Sequence, residues 1–158
     1  MAVLAAARAL LPVREEPRNS NAGQMVEAML AGVGNKAGDP WCAAYVSHCG
    51  YAALGKAWPL PMTASCAVLG DHAFNHGWLK ETPPGDVFLC WSDAHGRFAH
   101  TGFVTENGTI EGNTVGTGES GNQREGYGVF LRKRNWKPKD RFIRWTPSEV
   151  VPGVPVAR

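Results

Sequence analysis

Four side chains in this chain could do nucleophilic chemistry together: Cys42, His100, Glu111 and Asn113. Cys42 follows Asp39-Pro40. Asp39 is a good helix N-cap residue and Pro40 suits the first helical position, so the spacing predicts a helix running to about Leu54 with Cys42 in its first turn. Unpaired backbone N–H groups and the positive end of the helix dipole gather there. Both favour thiolate over thiol, the state a nucleophile needs. The same N–H groups can face a developing oxyanion. Core packing is the competing reading, because cysteine is among the most buried residue types and Cys42 lies on the apolar stripe Cys42, Tyr45, Val46, Cys49, Ala53.

A histidine base is offered by a hairpin. Asn107-Gly108 is a strong two-residue turn signal between two alternating segments. With these two residues as the turn, Glu106 pairs with Thr109, Val104 with Glu111 and Gly102 with Asn113. His100, Gly102 and Val104 then share a sheet face with Glu111, Asn113 and Val115. Gly102 leaves room for a side chain to lie across it. On this register Asn113 is diagonal to His100 and Glu111 is one step further. A cysteine at a helix start, a histidine and an orienting polar group make up the nucleophile, base and orienter of covalent amide hydrolysis. Cys42 would be the nucleophile, His100 the base, and either Glu111 or Asn113 the orienter. A half-buried polar patch on a solvated sheet face is the alternative.

Other residues invite weaker readings. Trp41 and Tyr45 flank Cys42 and could line a substrate groove, although core packing is the stronger reading for both. His48 falls off the Cys42 face of the helix. Cys49, Cys66 and Cys90 read as core thiols, with a disulfide among them as the alternative. Asp93, His95 and His100 are metal-ligand types, but Asp93 and His95 flank an expected turn and are read as solvated. No metal or other cofactor is expected. The Arg132-Lys133-Arg134 run reads as exposed strand residues, or as a basic contact to an anionic polymer.

The elements needed to position these groups can be read along the chain. Helices are predicted over Val3–Leu11, from an Asn21 N-cap with Gln24 as its capping-box partner to Gly32, over Pro40–Leu54, and over Ala64–His76 capped by Thr63. After Pro83-Pro84-Gly85 the period becomes strand-like. Strands are predicted over Asp86–Trp91, Ala99–Glu106, Thr109–Val115, Tyr127–Arg134 and Arg141–Thr146. A Gly-rich loop covers 116–126. Helices first and antiparallel strands after them make an α+β fold, with N-terminal helices packed on an antiparallel sheet.

Bulk composition agrees and excludes several classes. The 158 residues suit one domain, with a core from about residue 13 to 146 and a tail over 147–158. Six Trp, six Phe and three Tyr supply enough apolar area to argue against disorder. Nineteen Gly and eleven Pro argue against a helical bundle. A net charge of +2 is too mild to point to nucleic acid. No apolar run approaches the ~20 residues of a membrane span. The four cysteines show no C-x₂-C zinc spacing. Met1–Leu11 lacks a basic leading region and reads as a helix rather than a secretory signal.

Taken in order, the motifs carry a resemblance. The segment from Gly38 through Trp41-Cys42 to Ser47 resembles the nucleophile motif of the CHAP family, the cysteine- and histidine-dependent amidohydrolases and peptidases. His100-Thr101-Gly102-Phe103-Val104 is similar to that family's histidine strand. Ile110-Glu111-Gly112-Asn113-Thr114 is similar to the strand bearing its remaining polar residues, and Gly85-Asp86-Val87 to the start of the strand before. Glu16 to Gly23, with Asn19 and Asn21, resembles the lead-in of phage and bacterial cell-wall hydrolases. The likeness spans about residues 13–135. It implies a papain-like α+β fold and cleavage of an amide in peptidoglycan, as an N-acetylmuramoyl-L-alanine amidase or a stem or cross-bridge endopeptidase. It carries the roles above onto Cys42, His100, and Glu111 or Asn113. No Asp-rich loop precedes Cys42, so the calcium held by some members is not expected. The implied partner is peptidoglycan, met by a monomer. Without a secretory signal, a phage-encoded enzyme held in the cytoplasm until holin-dependent release, or carried on a phage particle, is expected. The competing functions are a non-catalytic wall-binding or particle-structural domain, and a cysteine amidase or peptidase acting on a non-wall substrate.

Overall fold

The computed structural model describes residues 2–83, 86–119 and 126–145. The expected tail 147–158, Pro84-Gly85, Thr146 and most of the Gly-rich loop lie outside the described residues. Four α-helices precede the main strands: α1 (Ala2–Ala9), α2 (Gln24–Ala31), α3 (Cys42–Leu54) and α4 (Cys66–Asn75), with a 3₁₀ turn at Gly55–Ala57. Six strands follow: β1 (Leu79–Lys80), β2 (Val87–Ser92), β3 (Arg97–Thr105), β4 (Gly108–Thr114), β5 (Gly128–Arg132) and β6 (Arg141–Ile143). They form one sheet in the order β1-β6-β2-β3-β4-β5, with every neighbouring pair antiparallel. The chain is therefore α+β. The short β1 carries no alternation and was not visible in the sequence. No helix among the described residues is long and apolar enough to cross a membrane.

Strand alternation divides the sheet into two faces. Val87, Leu89, Phe103, Ile110, Val129 and Ile143 join the helices in one core. α3 is buried along most of its length there. Its Tyr45 hydroxyl donates to the Ala7 carbonyl (3.0 Å), which fastens α1 across it. The core thus begins before residue 13, because Val3 and Ala7 of α1 belong to it. On the alternate positions, Phe88 packs against Trp136, which packs against Phe142.

The helix starts differ from those expected. Gly23, not Asn21, is the N-cap of α2, and its N–H donates to the Glu27 carboxylate (3.1 Å). Asn21 is in the left-handed region (φ 51°) and its side-chain nitrogen donates to the Gly38 carbonyl. Asp39 does not cap α3. Its carboxylate accepts from Asn35 Nδ2 and Lys36 N–H and so closes the turn before Pro40. α3 starts at Cys42 with Trp41 as its cap residue. α4 is capped by Ser65, whose Oγ accepts from the Val68 N–H (3.2 Å); Thr63 Oγ1 accepts from the Ser65 N–H.

The hairpin turn also moves. Phe103 pairs with Ile110, Val104 with Thr109 and Thr105 with Gly108, so Glu106 and Asn107 form the turn and Gly108 opens β4. The cause lies in β5. A Cβ on Gly108 would sit 2.2 Å from the Arg132 carbonyl oxygen. The glycine is used for close approach to the next strand rather than for the turn. The register differs by two residues from the expected one. Because the strand period is two, each side chain keeps its face but changes its cross-strand partner.

Candidate active site

Cys42, at the first residue of α3, meets a second thiol and lies within the electrostatic influence of His100 of β3. Its Sγ lies 3.7 Å from Sγ of Cys66, the first residue of α4. The two helix starts are held together by Ser47. Its Oγ accepts from the Thr63 N–H (3.1 Å) and donates to the Thr63 carbonyl (3.0 Å), which ties the chain leading into α4 to the middle of α3. Both sulfurs line a cleft of about 470 Å³, together with Asp39, Thr63, Ser65 and Arg97.

His100 is 2% exposed and Glu111 is fully buried. The corrected register places Gly102 opposite Glu111. A Cβ on Gly102 would meet Glu111 Cγ at 3.0 Å, so the missing side chain makes room for the glutamate to lie across β3. His100 Nε2 is 2.7 Å from Glu111 Oε2. It sits beside the register shift between β2 and β3 at Cys90/Trp91, a local irregularity of the kind that re-aims a side chain. Its other nitrogen, Nδ1, is buried with no oxygen or nitrogen partner among the described residues. Nδ1 is thus the nitrogen left for exchange with Cys42.

Glu111 is held from a third side by a residue the sequence reading placed on the surface. Arg134 grips the carboxylate with both ends of its guanidinium, Nε to Oε1 at 2.5 Å and a terminal nitrogen to Oε2 at 2.6 Å. Thr109 Oγ1 donates to Oε1 as well (2.6 Å). Arg134 also lies over the Phe88 ring. Its neighbour two residues back, Arg132, is buried and donates to the Val115 and Gly116 carbonyls. The expectation of an exposed basic run is therefore corrected at both arginines. Alternation along the chain brings them inward while Leu131 and Lys133 face solvent.

The electrostatics follow from these contacts. The Cys66 hydrogen bond, then His100 and the Ala43 backbone N–H, hold the Cys42 thiol well below its ordinary range against the opposing effect of burial. The bond with Cys42 and burial together push Cys66 well above its range. Burial alone would lower His100, but hydrogen bonds with Cys42 and Glu111 outweigh it and raise the imidazole above 6.5. Burial alone would raise Glu111, but Arg134 and His100 bring its carboxyl down to about 2. The arrangement favours a thiolate–imidazolium pair, with Cys66 as S–H donor to the thiolate and Glu111 as an ionised partner of the imidazolium.

Asn113 is brought near but does a different job. It is fully buried in the left-handed region (φ 56°), where the β4–β5 register shifts. With its amide turned to satisfy both ends, the oxygen accepts from the Trp41 N–H (3.3 Å) and the nitrogen donates to Asn21 Oδ1 and the Gly126 carbonyl. It anchors the peptide just before Cys42; Glu111, not Asn113, contacts His100. Trp41 and Tyr45 are core residues rather than groove walls. Both are fully buried, and Trp41 Nε1 donates to Glu15 Oε1 (2.7 Å). All four cysteines are free thiols. Burial pushes Cys49 and Cys90 up to about 12. Asp93 and His95 do not converge with His100: Asp93 pairs with Lys139 and His95 with Ser92. Among the described residues no His, Cys, Asp or Glu cluster could hold a metal ion.

Cys66 and Arg134 were missed by sequence reasoning. A cysteine at a helix start is a weak signal by itself, and Arg134 lies within a run whose polar pattern suits a surface. The role of Cys66 has a direct check. Alkylation of Cys42 by iodoacetamide, followed across pH, should show its acid limb moved upward in Cys66→Ala. That variant should react several-fold more slowly than the parent at acidic pH, because the largest influence favouring the thiolate is gone. An unmoved limb would remove Cys66 from the ionisation of Cys42.

Comparison with protein-family models, with curated proteins and with solved structures finds no match to this chain.

Proposed function

We propose that the protein is a cysteine amidohydrolase or peptidase of papain-like, CHAP-like organisation that cleaves an amide of peptidoglycan. The observations that support this best are the buried chain His100–Glu111–Arg134, the influence of His100 that favours the Cys42 thiolate, and the cleft lined by Cys42 and Cys66. The substrate class rests on the resemblance of the Cys42, His100 and Glu111 segments to cell-wall hydrolases.

In this reading the Cys42 thiolate attacks the amide carbonyl carbon. A C–S bond forms, and the C=O electron pair moves to oxygen near the backbone N–H groups at the start of α3. The imidazolium gives its Nδ1 proton to the leaving nitrogen as the C–N bond breaks, leaving a thioester on Cys42. Neutral His100 then takes a proton from water, whose oxygen attacks the thioester carbonyl and releases the carboxylic acid and the thiolate. Glu111 accepts from Nε2–H throughout and so fixes the ring. Arg134 keeps Glu111 ionised, which stabilises imidazolium over neutral imidazole.

Purified cell walls provide the test. Treatment should release amino and carboxyl groups one for one without new reducing sugar ends, and mass spectrometry of the fragments identifies the bond. Protein alkylated at Cys42 should release none. Equal release by the alkylated protein would overturn the mechanism. Binding to walls with no bond cut would leave a non-catalytic wall-binding domain. Cleavage of other amides, with walls untouched, would replace the substrate.

A further inference from the structure

The two helix starts place beside the nucleophile a second thiol that forms and breaks no bond in the hydrolytic reaction. Cys42 and Cys66 come from different helices, 24 positions apart, and their sulfurs are 3.7 Å apart. A disulfide bond is about 2.05 Å long, so the sulfurs need to close by less than about 2 Å. Both face the same cleft, so a small oxidant that reaches one reaches the other. Cys49 and Cys90 differ from them. Cys49 is buried in the core, neither lines the cleft, and burial keeps both thiols protonated.

We propose that Cys42 and Cys66 form a thiol-modification site for hydroperoxides, in which Cys42 is oxidised first and Cys66 resolves it to a reversible disulfide that blocks the nucleophile. The first step has the Cys42 thiolate attack one peroxide oxygen. An S–O bond forms and the O–O bond breaks. The sulfur is oxidised by two electrons to a sulfenic acid, and the other oxygen leaves as hydroxide, protonated to water by the His100 imidazolium. In the second step the Cys66 sulfur attacks the sulfenic sulfur. The S–S bond forms, the S–O bond breaks, and the departing hydroxide takes the Cys66 proton as water. One peroxide and two thiols give one disulfide and two waters, and a small dithiol reverses it by exchange. A low-lying thiolate at a solvent-open cleft with a second thiol beside it has the makings of a redox-sensitive pair. Without the second thiol, the sulfenic acid is open to further oxidation to irreversible sulfinic acid. The inference requires a reactive Cys42 but no particular amide substrate, so it stands or falls apart from the wall-hydrolase reading.

The full chain, treated with stoichiometric hydrogen peroxide and then alkylated, tests this by mass. Before alkylation the expected product is lighter by about 2 Da; alkylation then adds two groups where the untreated chain takes four. Proteolysis should yield a Cys42–Cys66 cross-linked peptide, and dithiothreitol should restore both thiols. Given two or more equivalents of peroxide, one for each oxygen added, Cys66→Ala and Cys66→Ser should instead accumulate a Cys42 adduct heavier by about 32 Da that dithiothreitol does not remove. Circular dichroism shows whether each variant is folded, and the serine form serves if the alanine form is not. Cys90→Ser should behave as the parent. The proposal fails if the parent chain accumulates sulfinic acid as fast as the Cys66 variants, if Cys42 pairs with another cysteine, or if neither Cys42 nor Cys66 is modified.

Discussion

Cys42→Ala is expected to lower amide hydrolysis by roughly 10³-fold or more. Among the described residues no other side chain at the cleft is placed to replace it as nucleophile. Cys66 is the nearest candidate, but its bond with Cys42 and its burial keep it protonated, and it is Cys42 that His100 interacts with. Cys42→Ser should be nearly as inactive. A hydroxyl ionises far less readily than a thiol, so the imidazole would have to act as a base from the start rather than begin as imidazolium. The fold should survive either change, because the lost atom lies at the cleft and the burial of a charged sulfur is relieved. Rates of amine release, together with thermal melting, check both points. Retention of a tenth of the parent rate by a folded Cys42→Ala would overturn the assignment of the nucleophile.

Glu111→Gln should have the largest effect on stability, a loss of roughly 3–5 kcal/mol, because it takes the two-pronged carboxylate away from Arg134, a largely buried charge. The pH dependence gives an independent estimate with its own sign. The folded carboxyl lies at about 2 and the unfolded one near 4.5. A depressed acid contributes stability that is fully present above the unfolded value and is lost as pH falls through the folded one. The parent should therefore lose about 3 kcal/mol between roughly pH 5 and pH 2, a slope that Glu111→Gln should lack. Denaturant titrations across that range check this; equal slopes in the two proteins would contradict it. Kinetics separates the two duties of the glutamate. Without its carboxylate the imidazolium loses a stabilising partner, so the basic limb of the pH–rate profile should move down. Combining Glu111→Gln with Arg134→Met removes both charges. Much of the stability should return while the displaced basic limb remains, which distinguishes the broken Glu111–Arg134 pair from a lost imidazolium partner.

Part of this site could be read from single residues and their spacing. The α+β order, the start of a helix close to Cys42, and the strand bearing His100 follow from local signals: turn residues, proline, and the change of hydrophobic period from helix to strand. The common sheet face of His100, Gly102 and Glu111 also followed from the hairpin, even though the turn was assigned to Asn107-Gly108 and is made by Glu106-Asn107. The inference survived because the displacement was two residues and strand faces repeat every two. The identity of the histidine's partner did not survive on the same terms. The expected register put Asn113 nearest to His100; the observed one puts Glu111 across Gly102 and leaves Asn113 to hold the Trp41 peptide.

What the sequence by itself determined is the set of faces and the local elements, because periodicity and capping act over a few residues. Tertiary structure decided which residues on those faces touch. β5 pressed against Gly108 and set the hairpin register. Ser47 tied the lead-in of α4 to α3 and so placed Cys66 beside Cys42. The chain beyond β5 turned Arg134 under Glu111, 23 residues away, where an exposed basic run was expected. These contacts join segments that no local pattern relates. They are selected by the packing of the whole core, which favours the register and helix placement that bury apolar side chains while pairing each buried charge.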